Sequence, residues 1–189
     1  MPSRDYIARM TQAFHIFETA IGSAGLAWGD HGLIGAHLPE RDPANVRARM
    51  HKRFPGIVEA ETAPPKIEAA EADIRRLLEG DKPDLLDVEI DESRVPEFNR
   101  RVYEIARAVP PGETITYGEI ATRLGDKLLA RDVGAAMGAN PWPIVVPCHR
   151  VTAAGGKLGG FSARGGQQTK LKLLAIEGAA AAAQGDLFG

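Results

Sequence analysis

The hydrophobic period changes once along this chain, near residue 91, and that change constrains its architecture more than any other feature. Before it, apolar residues come in short alternating runs broken by glycine-bearing turns, with two helical stretches set after them. Beyond it they recur every three or four positions, the spacing of a helix face. The runs Phe14–Ile21, Gly25–Trp28 and Leu33–Leu38 read as strands, separated by Gly22-Ser23 and by the turn Gly29-Asp30-His31-Gly32. Asp42-Pro43 opens a helix, with an N-cap side chain followed by proline at the first helical position. Val46, Met50 and Phe54 mark its face, and Pro55-Gly56 ends it. A second helix follows Pro64-Pro65, with Ile67, Ala70, Ile74, Leu77 and Leu78 on one side and Gly80 as its stop. Residues 85–90 alternate weakly and are a candidate for one more strand. Residues 1–90 therefore read as a small α+β unit in which nothing demands a function. His15, His31, His37 and His51 have no cysteine partners and read as surface or turn residues.

Asp91-Glu92-Ser93-Arg94 reads as the linker into residues 91–178. Phe98, Val102, Ile105 and Val109 mark a helix closed by Pro110-Pro111-Gly112. Thr116-Tyr117-Gly118-Glu119 is a capping box, in which the threonine hydroxyl caps the helix start and the glutamate reaches back. The short helix it opens ends at Leu124-Gly125. Another runs from about Lys127 to Gly138, before Asn140-Pro141. Helix, tight glycine turn, helix is the helix-turn-helix arrangement, although any helical hairpin shares the pattern. The fold expected is α+β: a small N-terminal α+β domain, then a mainly helical C-terminal domain with a helix-turn-helix.

The bulk numbers exclude several classes. The 189 residues are 44% hydrophobic and 25% charged, an ordinary globular composition. No apolar run approaches the roughly 18 residues of a membrane span, and Met1–Asp5 leads into no signal-like core, so a soluble cytoplasmic protein is expected. The single cysteine allows neither an internal disulfide nor a multi-cysteine zinc site, and no metal or cofactor is expected. Net charge is −2, but residues 59–92 hold twelve acids against four bases, and residues 94–177 twelve bases against seven acids. Such asymmetry hints at an anionic partner for the basic half, and equally fits two solvated surfaces of unequal sign.

The remaining cysteine stands in Asn140-Pro141-Trp142-Pro143-Ile144-Val145-Val146-Pro147-Cys148-His149-Arg150-Val151. Pro147 fixes the backbone before Cys148 and so sets the direction of the thiol. The thiolate is the nucleophile, and His149, directly or through a water, is placed to raise the thiolate fraction. A lone cysteine is commonly a small buried hydrophobe. Proline before it, His-Arg after it and an Asn-Pro pair nearby fit that poorly.

Asn140-Pro141 with Pro147-Cys148-His149-Arg150-Val151 resembles the active-site signature of the O6-alkylguanine–DNA alkyltransferases, the methylated-DNA–protein-cysteine methyltransferases. Thr116-Tyr117-Gly118, Arg131-Asp132-Val133-Gly134, Gly159-Gly160-Phe161-Ser162 and Lys170–Gly178 follow in that family's order. The likeness is strong from Val95 to Gly178 and weak before. It implies a cofactor-free reaction in which Cys148 takes an alkyl group from O6 of guanine in double-stranded DNA, once per molecule, after the nucleotide is flipped out; alkylated thymine is a further candidate substrate. His149 would accept the thiol proton through water, Glu177 would orient His149, and Asn140 would brace the turn carrying Cys148. Glu177 is also odd on physical grounds, since the last turn of a helix disfavours a carboxylate. Arg131 resembles the finger that fills the gap left by the flipped nucleotide. Tyr117 resembles the residue that bonds the flipped guanine. The carbonyls of Cys148 and Val151 would read its exocyclic amine, and the Ser162 amide would donate to the reacting oxygen. Met137, Pro143 and Phe161 would wall the alkyl pocket, with Lys170 near it.

The second helix of the pair would enter the minor groove. There Leu129 and Asp132 stand where the family favours small residues, and Gly138 lacks a base some members carry, so weaker DNA affinity is expected. The Ser162–Lys170 loop is longer than the commonest family pattern. Three other readings compete: a non-catalytic binder of alkylated DNA, a kind that lacks the cysteine; a transcription regulator using Cys148 as an alkylation sensor, for which no dimerisation element is visible; and a cysteine hydrolase, against which the adjacency of Cys148 and His149 speaks. A monomer is expected. Residues 179–189 read as a mobile tail, ending in Gln184-Gly185-Asp186-Leu187-Phe188, which resembles the peptide by which bacterial repair proteins dock on the sliding clamp. A frayed end is the alternative.

Overall fold

The computed structural model describes residues 12–185. Strands β1 (Ala13–Thr19), β2 (Gly22–Gly29) and β3 (Gly32–Glu40) form an antiparallel meander. A two-residue strand, β4 (Val58–Glu59), joins β1 in parallel and completes the sheet order β3-β2-β1-β4. The first hairpin turns at Ala20-Ile21, and Gly22-Ser23 begin β2 rather than break the strands as the sequence suggested. The Thr19 hydroxyl explains this: it donates to Gly22 O at 2.6 Å and accepts from Ile21 N, closing the turn early.

Period-2 alternation gives the sheet two apolar faces. Phe14 and Ala27 point to one side, where helix α1 (Pro43–Arg53) lays down Val46 and Met50. Asp42 caps α1 through Ala44 N at 2.9 Å. On the other side Phe17, Ala24, Leu26 and Trp28 meet helix α2 (Pro65–Leu78) and the C-terminal half in one continuous core. That core passes without a gap from the sheet to α3 (Glu97–Arg107), α4 (Tyr117–Arg123), α5 (Ala130–Gly138) and α6 (Gly166–Ile176). The architecture is α+β, an N-terminal sheet followed by a helical C-terminal region.

Residues 85–90 are not a strand. Only Ile90 bridges to Leu33. The Arg107 guanidinium accounts for the difference, because it donates to the carbonyls of Leu85, Leu86 and Val88, the groups a strand would offer to a neighbour. The segment 179–185, the start of the expected mobile tail, is largely helical. Ala179 is buried and α7 (Ala180–Gly185) follows it, as the high helix propensity of alanine allows once α6 supplies a surface. Residues 186–189, most of the suggested docking peptide, lie outside the described residues.

In the C-terminal half the capping box is formed: Glu119 N donates to Thr116 Oγ1 at 3.1 Å, and Thr116 N to Glu119 Oε2 at 2.7 Å. Helices α4 and α5 pack as a pair across Gly125 and a 3-10 turn at Lys127–Leu129. A second, two-stranded sheet pairs β5 (Ile115–Thr116) with β6 (Val151–Thr152) in parallel. It anchors both ends of the segment that matters most, because β5 runs into α4 and β6 leaves the turn containing Cys148. Among the described residues no helix is long and apolar enough to cross a membrane.

Candidate active site

The chain from Asn140 to Arg150 is a tightly bonded bend. Asn140 Oδ1 accepts from Trp142 N at 2.9 Å, and its Nδ2 donates to Val146 O at 2.8 Å. Val146 N returns to Trp142 O, and Cys148 N to Val146 O, both at 2.8 Å. Ile144, at the apex, holds φ +76°, a conformation costly for a β-branched residue. The burial of Ile144, Val145 and Val146 holds it there. The N-terminal sheet grips the same bend. Trp142 Nε1 donates to Leu33 O at 2.7 Å, Ala36 N to Pro141 O at 2.9 Å, and Arg53 spans the carbonyls of Ala36 and Pro141.

Cys148 opens a short 3-10 turn, Cys148–Arg150, which points His149 and Arg150 into the protein. His149 and Glu177 are 1% and 2% exposed, and His149 Nε2 lies 2.7 Å from Glu177 Oε1. Arg150 closes on the same carboxylate through Nε at 3.0 Å and Nη2 at 2.9 Å, while its Nη1 donates to Val109 O. Gly112 N adds a longer bond at 3.3 Å. A side chain at Gly112, whose φ is +89°, would sit 2.9 Å from the Glu177 carbonyl, so only glycine admits this approach. Burial works to raise the Glu177 carboxyl, but the bonds from His149 and Arg150 outweigh it and hold the group at about 2. A carboxylate fixed in this way accepts from Nε2, so the imidazole proton sits there and Nδ1 is left as the acceptor. Nδ1 is buried and has no hydrogen-bond partner among the described residues. Burial also lowers the basicity of His149, so the ring is neutral near pH 7.

Cys148 as a whole residue is half-buried. Burial pushes its thiol up, while the Asn140 amide and the Lys170 ammonium pull the other way. Lys170 is fully buried on α6, donating to Val151 O at 2.6 Å and Gly160 O at 3.3 Å. Burial brings it down to about 8. Its ammonium lies 5.8 Å from the Tyr117 ring and 5.9 Å from that of Phe161. Tyr117 OH donates to Gly160 O at 3.3 Å, and a Cβ at Gly159 would approach the tyrosine ring to 2.8 Å. Lys170 and Tyr117 together tie the glycine-rich segment 159–160 beside the thiol.

Cys148 lines a cavity of about 170 Å³ with Met137, Asn140, Pro143, Phe161 and Ser162. The sequence grouped these residues, and the fold brings them to one place. Tyr117, Val151 and Lys170 form the adjoining cluster, and His149 and Glu177 the buried pair behind. Val151 O is already bonded to Lys170, and Cys148 O accepts from Val151 N, so each carbonyl has one lone pair left for a substrate. Arg131 stands apart, exposed in the first turn of α5. Asp132 is exposed in that same turn, where the helix dipole favours an acid.

Sequence reasoning missed two contributions. Arg150 is 1% exposed and shares Glu177 with His149, yet no residue near it in sequence hints at an acid partner. The N-terminal half, which carried no functional signal, supplies Ala36–Glu40 and Arg53 to the cavity wall. A wider groove of about 870 Å³ lies between the β2–β3 turn, the start of α2 and residues 82–89. It is lined by no cysteine, serine, threonine or histidine, and four of its charged side chains pair with one another, Lys66 with Glu89 and Arg76 with Asp73. Among the described residues no group of three His, Cys, Asp or Glu side chains is arranged to hold a metal ion.

Residues 97–179 match the family model of the 6-O-methylguanine DNA methyltransferase DNA-binding domain. A methylated-DNA–protein-cysteine methyltransferase of Mycolicibacterium paratuberculosis is 52% identical over 91 residues, 48% of this chain and about half, 53%, of that relative. One from Methanothermobacter thermautotrophicus is 33% identical over 82% of this chain and 78% of its own length. A DNA base-flipping protein of Thermus thermophilus is 40% identical over 77% of this chain and 95% of its own. The crystal structure of Mycobacterium tuberculosis OGT in complex with DNA superposes with a TM-score of 0.69 at 31% identity, covering 94% of this chain and 99% of that one. The chain belongs to the methylated-DNA–protein-cysteine methyltransferase family.

Proposed function

We propose that this protein repairs DNA by moving the alkyl group of an O6-alkylguanine onto Cys148, once per molecule. The observation that carries the proposal is the half-buried Cys148 on a cavity of about 170 Å³, backed by the buried His149–Glu177–Arg150 cluster. The reaction is a displacement: a bond forms between Cys148 Sγ and the alkyl carbon, the carbon–oxygen bond breaks, and its electron pair leaves with guanine. Because burial keeps the resting thiol neutral, a base is needed, and His149 Nδ1, acting through a water, takes the proton. Glu177 and Arg150 hold the ring, and the carboxylate balances the imidazolium charge that develops. Tyr117 gives its proton to the leaving base, and the proton held by His149 is released through water and made good on the phenolate, so that the thiol proton ends on guanine. Lys170 stabilises the thiolate and, with Asn140, fixes the walls around it. Met137, Pro143 and Phe161 confine the alkyl group, the Ser162 amide faces the oxygen, and the free lone pairs of the Cys148 and Val151 carbonyls read the exocyclic amine. The product thioether is stable, so the protein is spent, and no cofactor takes part.

The substrate must leave the duplex, since its oxygen is shielded from in-line attack within the stack. Helix α5 enters the minor groove as a monomer docks, and Arg131, exposed at its start, fills the gap. Residues 1–90 serve as a supporting domain to the alkyltransferase domain over 91–178, in the cytoplasm. Gln184–Phe188 docks on the sliding clamp when one is present. The base-flipping relative favours a second reading, lesion binding without chemistry. The two separate on the wild-type protein and one variant: on the first reading the wild type takes up the alkyl group, and Cys148→Ala does not while binding alkylated duplex within about twofold; residual transfer in the variant contradicts the first reading, and binding without transfer by the wild type supports the second.

A further inference from the structure

The cavity wall opposite the helical half is built from β3, and it is fastened to the loop beyond Phe161-Ser162 by a single charged hub. Glu40, at the end of β3, has a side chain only 11% exposed. Its Oε1 meets His37 Nε2 at 2.8 Å and Arg49 Nε at 2.6 Å. Its Oε2 lies 3.3 Å from Arg164 Nη1, in the loop between Ser162 and α6. Burial works to raise the Glu40 carboxyl, but His37, Arg49 and Arg164 outweigh it and keep it charged. His37 and Arg49 belong to the N-terminal half, so the carboxylate is firmly anchored there. Arg164 is 67% exposed and reaches across from the other side. Both Glu40 and Arg164 line the cavity that holds Cys148.

The rest of the loop is tied the opposite way. Gln167 donates to Gly159 O, Lys170 to Gly160 O, and Ser162 Oγ to Gly138 O. Thr169 Oγ1 donates to Arg164 O at 2.7 Å, which fixes the arginine backbone and leaves its side chain as the movable part. The loop is thus held to the helical half by its backbone and to the sheet by one arginine. With that arginine in place the cavity is about 170 Å³.

We infer that the Glu40–Arg164 pair is a specificity-determining latch: closed, it limits the alkyl groups the cavity admits to small ones, and bulky O6 adducts react only as it opens. The inference rests on alkyl transfer to Cys148. With Arg164 largely exposed the pair is weak, so its loss moves an open–closed balance by about two- to fivefold.

The test compares two oligonucleotide duplexes of identical sequence carrying O6-methylguanine or O6-benzylguanine. Any effect of a substitution on DNA affinity or flipping that is common to both duplexes then cancels in the ratio of the two transfer rates. The benzyl-to-methyl ratio rises about two- to fivefold in Arg164→Ala and in Glu40→Gln, and at least as much in Arg164→Glu, where like charges face each other. Arg164→Lys keeps the charge and stays close to wild type. Raising salt lifts the ratio in the wild-type protein and leaves Arg164→Ala unmoved, because only the former has a pair to screen. Thermal denaturation of each variant confirms that it is folded. A ratio that stays constant through the series while transfer proceeds overturns the latch and leaves the reaction standing. Absence of transfer from either duplex in the wild-type protein overturns both.

Discussion

At the scale of single residues, Glu177 carries a large electrostatic load. It sits at the C-terminal end of α6, against the helix dipole, out of water, and bonded to His149 and Arg150. Its folded value of about 2 lies below the ordinary 4.5. A depressed carboxylate contributes stability that is present above its unfolded value and lost as pH falls toward the folded one, here between about 4.5 and 2. Glu177→Gln is therefore expected to be less stable than wild type at pH 7 by on the order of 3 kcal/mol. Urea denaturation at a series of pH values should show the gap closing toward pH 2. A gap that stays constant across that window contradicts the assignment. Glu177 was legible in the sequence because an acid at a helix end is a misfit that asks for a partner. Arg150 was not, because only folding brings residues 150 and 177 to one carboxylate.

At the scale of elements, legibility followed length. Helices α2 and α3 and the capping box of α4 show clear period or clear caps, and all are found. Strands β4, β5 and β6 have two residues each and are held by parallel partners far along the chain, so no period could betray them. Residues 85–90 alternate like a strand but surrender three carbonyls to Arg107, a tertiary contact that overrides local preference. The role of α5 is tested through Arg131. On the proposed reading Arg131→Ala slows repair of duplex O6-benzylguanine by tenfold or more, at about 1.4 kcal/mol per tenfold, while reaction with free O6-benzylguanine changes little. Equal losses on both substrates would show that the arginine does not act on the flipped nucleotide.

At the scale of the whole molecule, the change of period near residue 91 separates two patterns of secondary structure but not two cores. Trp28 in the sheet and Trp142 in the bend belong to one cluster that reaches α6. Sequence periodicity reports which residues face inward, not which elements they meet, so this continuity could not be read in advance. These two are the chain's only tryptophans, which makes the continuity measurable. In Trp142→Phe fluorescence reports on Trp28, and in Trp28→Phe on Trp142. In each variant the fluorescence and far-ultraviolet circular dichroism transitions in urea are expected to coincide, as for one cooperative unit. Separate midpoints would mean that the halves unfold independently. The same continuity explains how a sheet without catalytic residues helps to hold Asn140 and the cavity wall in place. The central claim, transfer to Cys148, is tested most directly by intact-mass spectrometry after incubation with excess duplex DNA containing O6-methylguanine. The account predicts a gain of one methyl group per chain, located on Cys148 by fragmentation, with no further gain on longer incubation. An unmodified chain, a methyl group on another residue, or repaired DNA exceeding the protein in moles would contradict it.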